Sequence, residues 1–336
     1  MLTLKSHPDN ILVAEIRHGK KKKTTPLYWH PVIKPELRNT IENLDYFFKD
    51  QNFTDRFELT QEQALNIQDH MARDEICTEL QAKHFQCKRF IQNSLNQEFD
   101  ISDQPDMKLE VHFPKGSDTY AWCEWISGGT GSGKSFYLQK KLLTMLDGPK
   151  ADRRKVIYFS PEWNLDTTIA PLKADKYKEW VTGIDCSDDS IEQSQFNTPE
   201  EFFKNEIQTR AKYASRGTIL CADDPLDFAE GLQEPMRRLI TTLQRVGRHS
   251  GVSVIFILHR LRHGIWSQQA QSSCRYLTVF ARSNKNKIRD YLNKEIGLTL
   301  SESRRNVADF AQHARALTIR LHTPQCLISE KMVRLI

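Results

Sequence analysis

The spacing of apolar residues changes near residue 105. Before that point they recur every three or four positions, as at Leu37, Ile41 and Leu44, and this spacing predicts helices. A polar, proline-marked stretch then interrupts the pattern. We therefore predict two regions, a mostly helical N-terminal region over residues 1–105 and a second region over 106–336.

Short apolar runs alternate with longer segments of helical period in the second region. The predicted strands are residues 108–113, 121–127, 156–159, 218–222, 252–258 and 276–281. Helices are predicted over 134–146, from Pro199 behind a Thr198 cap, and from Pro235 to Gly251. This alternation predicts an α/β fold with a mainly parallel sheet between helices. Two last runs, 317–321 and 326–328, flank a proline turn and predict a C-terminal hairpin.

A glycine-rich octapeptide between the strand over 121–127 and the next helix fits the pattern G-x-x-x-x-G-K-[ST]. Its glycines let successive backbone N–H groups point at phosphate oxygens, while the helix N-terminus adds its positive end. The lysine would reach the β- and γ-phosphates and the serine would ligate Mg²⁺. We predict nucleotide binding by the eight residues Gly128, Gly129, Thr130, Gly131, Ser132, Gly133, Lys134 and Ser135.

Two aspartates follow the strand over 218–222, at the end where ligands collect in open α/β sheets. We assign Asp223 to Mg²⁺, through water or Ser135, and Asp224 to polarising the water that attacks the γ-phosphate. Asp224 could instead cap the turn before Pro225, and Asp227 competes with it for either role.

His259 ends the strand over 252–258 and is our candidate for contacting the γ-phosphate and responding to its loss. Histidine titrates near neutral pH, unlike other polar residues that could stand there. The alternative is a histidine that simply closes the strand.

Composition limits the class of protein without identifying it. The 336 residues are 39% hydrophobic and 27% charged, which excludes a disordered chain. The seven cysteines include no closely spaced pair, so free buried thiols in a reducing compartment are expected. The longest apolar run is far shorter than the roughly 20 residues of a membrane span, and no span is expected. A net charge of +5 permits nucleic-acid contact without requiring it.

Three segments carry a family resemblance. The stretch from Gly247-Arg248-His249 to His259 resembles the approach to the sensor strand of FtsK/HerA ATPases, which pump DNA. Residues 271–281 are similar to the next strand of that family, and Ser160-Pro161-Glu162 resembles its proline-centred turn. The branch most similar is the genome-packaging ATPase of large eukaryotic DNA viruses, virophages and polinton-like elements.

The resemblance covers residues 120 to 336 and has departures. His259 stands where glutamine is commoner, and Asp224 stands where glutamate often occurs. Ser272-Ser273-Cys274 occupies a place where asparagine is frequent. What the resemblance implies for the fold is a P-loop NTPase of the additional-strand, RecA-like type.

For function, the resemblance implies a homo-oligomeric ring, of five or six subunits, that uses ATP and Mg²⁺. Each active site would lie between two subunits and receive an arginine from the neighbouring subunit. Arg248 is the first choice for this arginine and Arg275 the second. The alternative is that these arginines only contact a helix C-terminus or solvent. Double-stranded DNA would pass through the centre, held by its phosphates. Candidate pore residues, which could equally be solvated, are Arg260, Arg262, His263, Lys285, Lys287 and Arg289.

We thus expect an ATP-driven double-stranded-DNA translocase that packages a viral genome, with capsid or portal-vertex proteins as further partners. It would act in the host cytoplasm or nucleus, and in the virion. The alternatives are a segregation or conjugation pump of the same superfamily, and a nucleotide-dependent switch that scarcely hydrolyses. A metabolic kinase is a further alternative, but such enzymes usually need a lid and an acceptor pocket, and the sequence pattern locates neither.

Overall fold

The computed structural model describes residues 2–4, 6, 8, 10–18, 24–30, 41–73, 75–95, 98–111, 121–148, 153–196, 198–214, 217–261, 273–280, 282, 285–322 and 324–336. The chain divides into two compact units. Unit 1 comprises Met1–His112, Gln312–Ala314 and His322–Ile336, and unit 2 comprises Phe113–Ala311 and Arg315–Leu321. The domain boundary after residue 105 stays a prediction, because compactness does not establish independent folding.

The strands of the described residues are numbered in chain order. They are β1 (Leu2–Thr3), β2 (Ile11–His18), β3 (Thr24–Trp29), β4 (Glu98–Asp100), β5 (Met107–Val111), β6 (Cys123–Ser127), β7 (Val156–Ser160), β8 (Val181–Asp185), β9 (Ile219–Ala222), β10 (Ser253–Leu258), β11 (Tyr276–Phe280), β12 (Ala316–Arg320), β13 (Cys326–Ile328) and β14 (Met332–Leu335).

The helices are numbered in the same way. They are α1 (Ile41–Phe48), α2 (Gln51–Arg56), α3 (Gln61–Ala72), α4 (Gln81–Leu95), α5 (Lys134–Leu146), α6 (Asp188–Glu192), α7 (Pro199–Phe202), α8 (Thr209–Lys212), α9 (Glu230–Ser250), α10 (Lys285–Lys294) and α11 (Leu300–His313). A π-helical stretch, Phe203–Gln208, joins α7 to α8. Two short 3-10 helices, Ala170–Lys173 and Asp175–Tyr177, precede β8.

Unit 1 combines helices α1 to α4 with antiparallel strands. One sheet has the order β1-β3-β2-β5, and β14 pairs with both β13 and β4. Aromatic rings fill the core: Phe90 lies 6.0 Å from Phe47, 5.4 Å from Phe53 and 5.6 Å from Phe99 between ring centroids. The predicted helices are present, and the structure adds the strands β1 to β3, which the sequence pattern did not predict.

Unit 2 is built on a sheet with the strand order β12-β11-β6-β10-β9-β7-β8. From β11 to β8 every neighbouring pair is parallel, and only β12 pairs antiparallel, with β11. Every residue of β6, β9, β10 and β11 is buried, as expected of a parallel sheet covered on both faces. The carboxyl ends of β6, β9 and β10 therefore meet at one edge.

The predicted mainly parallel sheet is confirmed, and its strands are shifted by one or two residues at their ends. The strand predicted over 108–113 is β5, which pairs antiparallel with β2 in the sheet of unit 1. The predicted cap is also present, since the Glu201 amide donates to Thr198 Oγ1 at 3.2 Å. The predicted start of α9 at Pro235 was wrong. The helix begins at Glu230, and Pro235 lies inside it.

Both runs predicted for the C-terminal hairpin form strands, β12 and β13. β12 pairs with β11, and β13 forms an antiparallel hairpin with β14. Strand β8 and helices α10 and α11 were not predicted. Among the helices of the described residues, none combines the length and the apolarity that crossing a bilayer requires.

The end of α9 requires a glycine at position 247. The Val252 amide donates to Gly247 O at 2.9 Å, and a Cβ at this glycine would lie 2.7 Å from Val252 O. Gly251, at φ +73°, ends the helix in the left-handed conformation.

We expect Gly247→Ala to lower the free energy of unfolding by about 1–3 kcal/mol, because backbone must move away from the new methyl group. The loss should outweigh the gain of about 1 kcal/mol that alanine brings to a helix interior. Urea unfolding followed by circular dichroism measures the change. Gly148→Ala is the control, since the nearest described atom to its Cβ, Met145 O, would lie 3.5 Å away. Equal midpoints for both variants would contradict the close approach.

Candidate nucleotide-binding site

The phosphate loop lies between β6 and α5 at the carboxyl edge of the sheet. Gly131 and Gly133 adopt φ of +72° and +99°, in the left-handed region that favours glycine. The Ser132 amide donates to Gly129 O at 3.1 Å and closes the turn. At Gly128 a Cβ would lie 2.6 Å from Ser132 Oγ, so a side chain there would obstruct the curl. The loop has the conformation of an anion cradle that opens onto the N-terminus of α5.

Lys134, the first residue of α5, is buried with only 5% of its surface exposed. Its ammonium donates to Gly129 O at 3.4 Å and to His259 Nδ1 at 3.0 Å. The side chain therefore lies back across the mouth of the loop, where a polyphosphate would lie.

His259 connects this lysine to the acidic residues. Its Nε2 lies 3.0 Å from Asp224 Oδ2 and 3.7 Å from Asp227 Oδ2. Because Nδ1 accepts from the ammonium of Lys134, Nε2 must carry the ring proton and donate to the carboxylate. Burial and the neighbouring Lys134 lower the pKa of His259, which favours this neutral tautomer.

Asp223 is the more buried of the two aspartates. Its Oδ2 accepts from Tyr158 Oη at 2.6 Å, and its carboxylate also accepts from the Ser135 side chain. Asp223 Oδ1 is buried and has no partner among the described residues. Burial raises the pKa of Asp223 to about 6, against the opposing effect of these hydrogen bonds.

Asp224 adopts a left-handed conformation, with φ +46°. Its backbone carbonyl accepts from the Asp227 amide at 2.9 Å, whereas its carboxylate faces His259. Burial raises the pKa of Asp224 to about 6, and Lys134 acts in the opposite direction. Asp224 Oδ1 is buried without a partner in the described part of the chain, so this oxygen can accept a further hydrogen bond.

The structure brings Lys134, Ser135, Asp223, Asp224 and His259 to one place, and it does not bring the two arginine candidates there. Arg275 precedes β11, and its amide donates to Cys123 O at the amino end of β6. Arg248 is in the last turn of α9, close to the amino end of β10, and its side chain lies outside the described residues. Both backbones lie at the opposite edge of the sheet, about 15 Å from the loop.

The basic candidates are dispersed. Arg260 is exposed beside His259, whereas Lys285, Lys287 and Arg289 are in α10 rather than in a loop. Arg262 and His263 lie outside the described residues.

Two side chains at the site carried no signal in the sequence. Tyr158 reaches Asp223 because β7 and β9 are neighbours, with Tyr158 opposite Cys221. Arg315 Nη2 lies 3.3 Å from Ser132 O, to which it donates. Only the pairing of distant strands brings these residues to the site.

The sheet has β10 between the strand that carries the phosphate loop and the strand that carries the aspartates. Together with the loop geometry and α5, this order gives the chain the α/β fold of an additional-strand P-loop NTPase.

No protein-family model and no curated protein matches the chain. Several solved structures are similar to it. The genome packaging NTPase B204 from Sulfolobus turreted icosahedral virus 2, in complex with ATP-gammaS, is 17% identical with a TM-score of 0.37, over 63% of this chain and 97% of that one.

Two further structures extend the comparison. The pCW3 conjugation coupling protein TcpA is 14% identical with a TM-score of 0.37, over 62% of this chain and 60% of that one. The cytoplasmic domain of the type VII secretion ATPase EccC from Thermomonospora curvata is 14% identical with a TM-score of 0.36, over 62% and 25%. A viral packaging NTPase is thus among the structures to which this chain is similar.

The raised pKa of Asp223 has a consequence for stability. Between the ordinary pKa of 3.8 and about 6, the folded protein binds more protons at this carboxyl than the unfolded chain does. The free energy of unfolding therefore falls as the pH rises through that interval, and the full loss persists above it.

We expect Asp223→Asn to raise the free energy of unfolding at pH 8, in the absence of nucleotide and divalent ions, by at least about 1 kcal/mol. The amide carries no charge to bury, and the gain should vanish near pH 4. Chemical unfolding at the two pH values measures the difference. The exposed Asp106→Asn serves as control, and a destabilised Asp223→Asn protein at pH 8 would show that burial is not the dominant effect.

Proposed function

We propose that the chain binds ATP at Gly128–Ser135 and hydrolyses the bond between its β- and γ-phosphates. The observation that carries this proposal is the pair of hydrogen bonds that joins Lys134 to His259 and His259 to Asp224 at the mouth of the loop. A phosphate cradle alone would bind nucleotide, whereas the carboxylate at its mouth supplies a group for activating water.

The residues that would hold Mg²⁺ are Ser135 and Asp223. Their side chains are already hydrogen-bonded to each other, and Asp223 has a second, buried oxygen without a partner among the described residues. A hard cation favours such oxygen ligands, so the donor set fits. When bound there, Mg²⁺ neutralises charge on the β- and γ-phosphates.

Lys134 would exchange partners when the nucleotide binds. The γ-phosphate offers charged acceptors to the ammonium, which now contacts the neutral Nδ1 of His259. His259 Nδ1 is then released, while Nε2 can keep Asp224 Oδ2 in place. Asp224 Oδ1 accepts a proton of the attacking water and orients it towards the phosphorus. His259 thus couples binding of the γ-phosphate to the position of the Asp224 carboxylate.

The wider proposal is a ring-shaped motor that moves double-stranded DNA into a capsid. It is supported by the location of Arg248 and Arg275, whose backbones lie at the end of the sheet opposite the loop and so away from the site of their own chain. Exposed basic residues, Arg260 and Lys285 among them, could contact DNA phosphates. Capsid or portal-vertex proteins are the proposed docking partners, and the host cytoplasm or nucleus and the virion are the proposed locations.

A DNA pump for segregation or conjugation uses the same site and is the closest alternative. A switch that binds nucleotide with little hydrolysis is the alternative from another class. ATP turnover that depends on DNA distinguishes a motor from a switch. The DNA substrate that stimulates this turnover when capsid proteins are present distinguishes genome packaging from segregation or conjugation.

Steady-state ATP hydrolysis with and without long double-stranded DNA tests this proposal. We expect Lys134→Ala and Asp224→Asn to lower kcat/KM at least a hundredfold, the first by weakening nucleotide binding and the second without doing so. Lys140→Ala, on the exposed face of the same helix, is the matched control and should retain full activity. Nucleotide binding without DNA-dependent turnover in the wild-type protein would favour the switch.

His259 allows a second test. His259→Ala should lower kcat about tenfold or more, because nothing would then hold Asp224 towards the phosphate. His259→Gln should restore most of the rate, since an amide can accept from Lys134 through its oxygen and donate to Asp224 through its nitrogen. Single-turnover hydrolysis at saturating ATP measures both, and equal losses in the two variants would argue against a bridging role.

A further inference from the structure

Arg315 lies beside the phosphate loop although it is 183 positions from Ser132 along the chain. Its Nη2 donates to Ser132 O at 3.3 Å, and a Cβ at Gly133 would lie 3.6 Å from the same nitrogen. The side chain is exposed, so the guanidinium borders the loop from its solvent side.

The strand order places Arg315 on one particular flank of the loop. β10 and β9 lie on one side of β6 and are followed in the chain by His259 and Asp223, whereas β11 and β12 lie on the other side. Phe280 pairs with Ala316, so β12 begins where β11 ends, at the same edge as the loop. The loop therefore has its acidic residues and histidine on one flank and Arg315 on the other.

A nucleotide in this cradle has only one productive direction. Its γ-phosphate must face Lys134, Asp224 and the attacking water, since water attacks in line with the leaving oxygen. The remaining phosphates then follow the loop away from β10. The α-phosphate therefore comes to the flank where Arg315 lies.

The guanidinium has the donors that such a contact needs. Arginine presents five N–H groups in a planar fork, and the described residues give Arg315 one hydrogen bond, to Ser132 O. The guanidinium can keep its hydrogen bond to Ser132 O while its other N–H groups donate to a phosphate oxygen. The buried ring of Phe280 borders the loop on the same flank, since one of its atoms would lie 3.0 Å from a Cβ at Gly128.

We infer that Arg315 binds the α-phosphate of the nucleotide and thereby sets the affinity for ATP and ADP alike, with no part in cleaving the β–γ bond. The inference rests on the proposed nucleotide site. Because ATP and ADP share the α-phosphate, the contact persists after hydrolysis, and Arg315 would retain the product as firmly as it holds the substrate.

Equilibrium binding of ATP and of ADP to the full chain, with single-turnover hydrolysis, tests this inference. We expect Arg315→Ala to raise the Kd for both nucleotides by the same factor, about tenfold, which corresponds to about 1.4 kcal/mol. The single-turnover rate at saturating ATP should change less than about twofold. Arg304→Ala, an exposed arginine of α11, is the matched control and should bind like wild type.

Other outcomes contradict the inference in distinguishable ways. A weaker affinity for ATP alone would assign Arg315 to the γ-phosphate, and a slower single turnover with unchanged Kd would assign it to the transition state. Unchanged affinity for both nucleotides in Arg315→Ala and Arg315→Gln would show that Arg315 only contacts the loop. If Arg315→Ala fails to fold, the affinity of Arg315→Gln provides the test. Absence of nucleotide binding in the wild-type protein would instead overturn the proposed function itself.

Discussion

The site depends on a buried lysine that lies close to one buried and one half-buried carboxylate. Lys134, Asp223 and Asp224 would each be costly to bury alone. Lys134 lowers the electrostatic cost of both carboxylates, whereas the charge of Asp224 raises that of Asp223. The compensation is incomplete, because both aspartates keep pKa values raised to about 6. A neutral histidine between the ammonium and one carboxylate keeps the charges apart while linking them by hydrogen bonds. A polyphosphate would add negative charge beside Lys134, and a cation would add positive charge beside the two aspartates, so binding both would compensate the charges of the site.

The sheet is what holds these charges in place. β6, β9 and β10 are buried throughout and adjacent, so their carboxyl ends cannot separate without opening the core of unit 2. Tyr158, from the next strand, fixes the orientation of Asp223 through its hydroxyl. The left-handed backbone of Asp224 then turns the second carboxylate towards His259. Each catalytic candidate is thus positioned by a different strand, and packing of the strands determines their distances.

The two edges of the sheet in unit 2 carry different chemistry. The carboxyl edge has the phosphate loop, both aspartates and Arg315, whereas Arg248 and Arg275 belong to the opposite edge. A single chain therefore cannot bring the latter arginines to its own loop. This separation distinguishes Arg315, which borders the loop of its own chain, from Arg248 and Arg275 at the other end of the strands.

Much of the site was predictable because it is local in the chain. The phosphate loop is one continuous octapeptide, and Asp223, Asp224 and His259 follow runs whose apolar character marks them as buried strands. The start of α9 and the strand β8 escaped prediction, because a proline inside a helix and polar residues in an edge strand obscure the pattern. The sequence by itself determined which residues form the cradle and which acids end at its edge. Only the tertiary structure decided that Tyr158 orients Asp223, that Lys134 contacts His259, and that Arg315 borders the loop, because those contacts join residues whose separation along the chain contains no periodic signal.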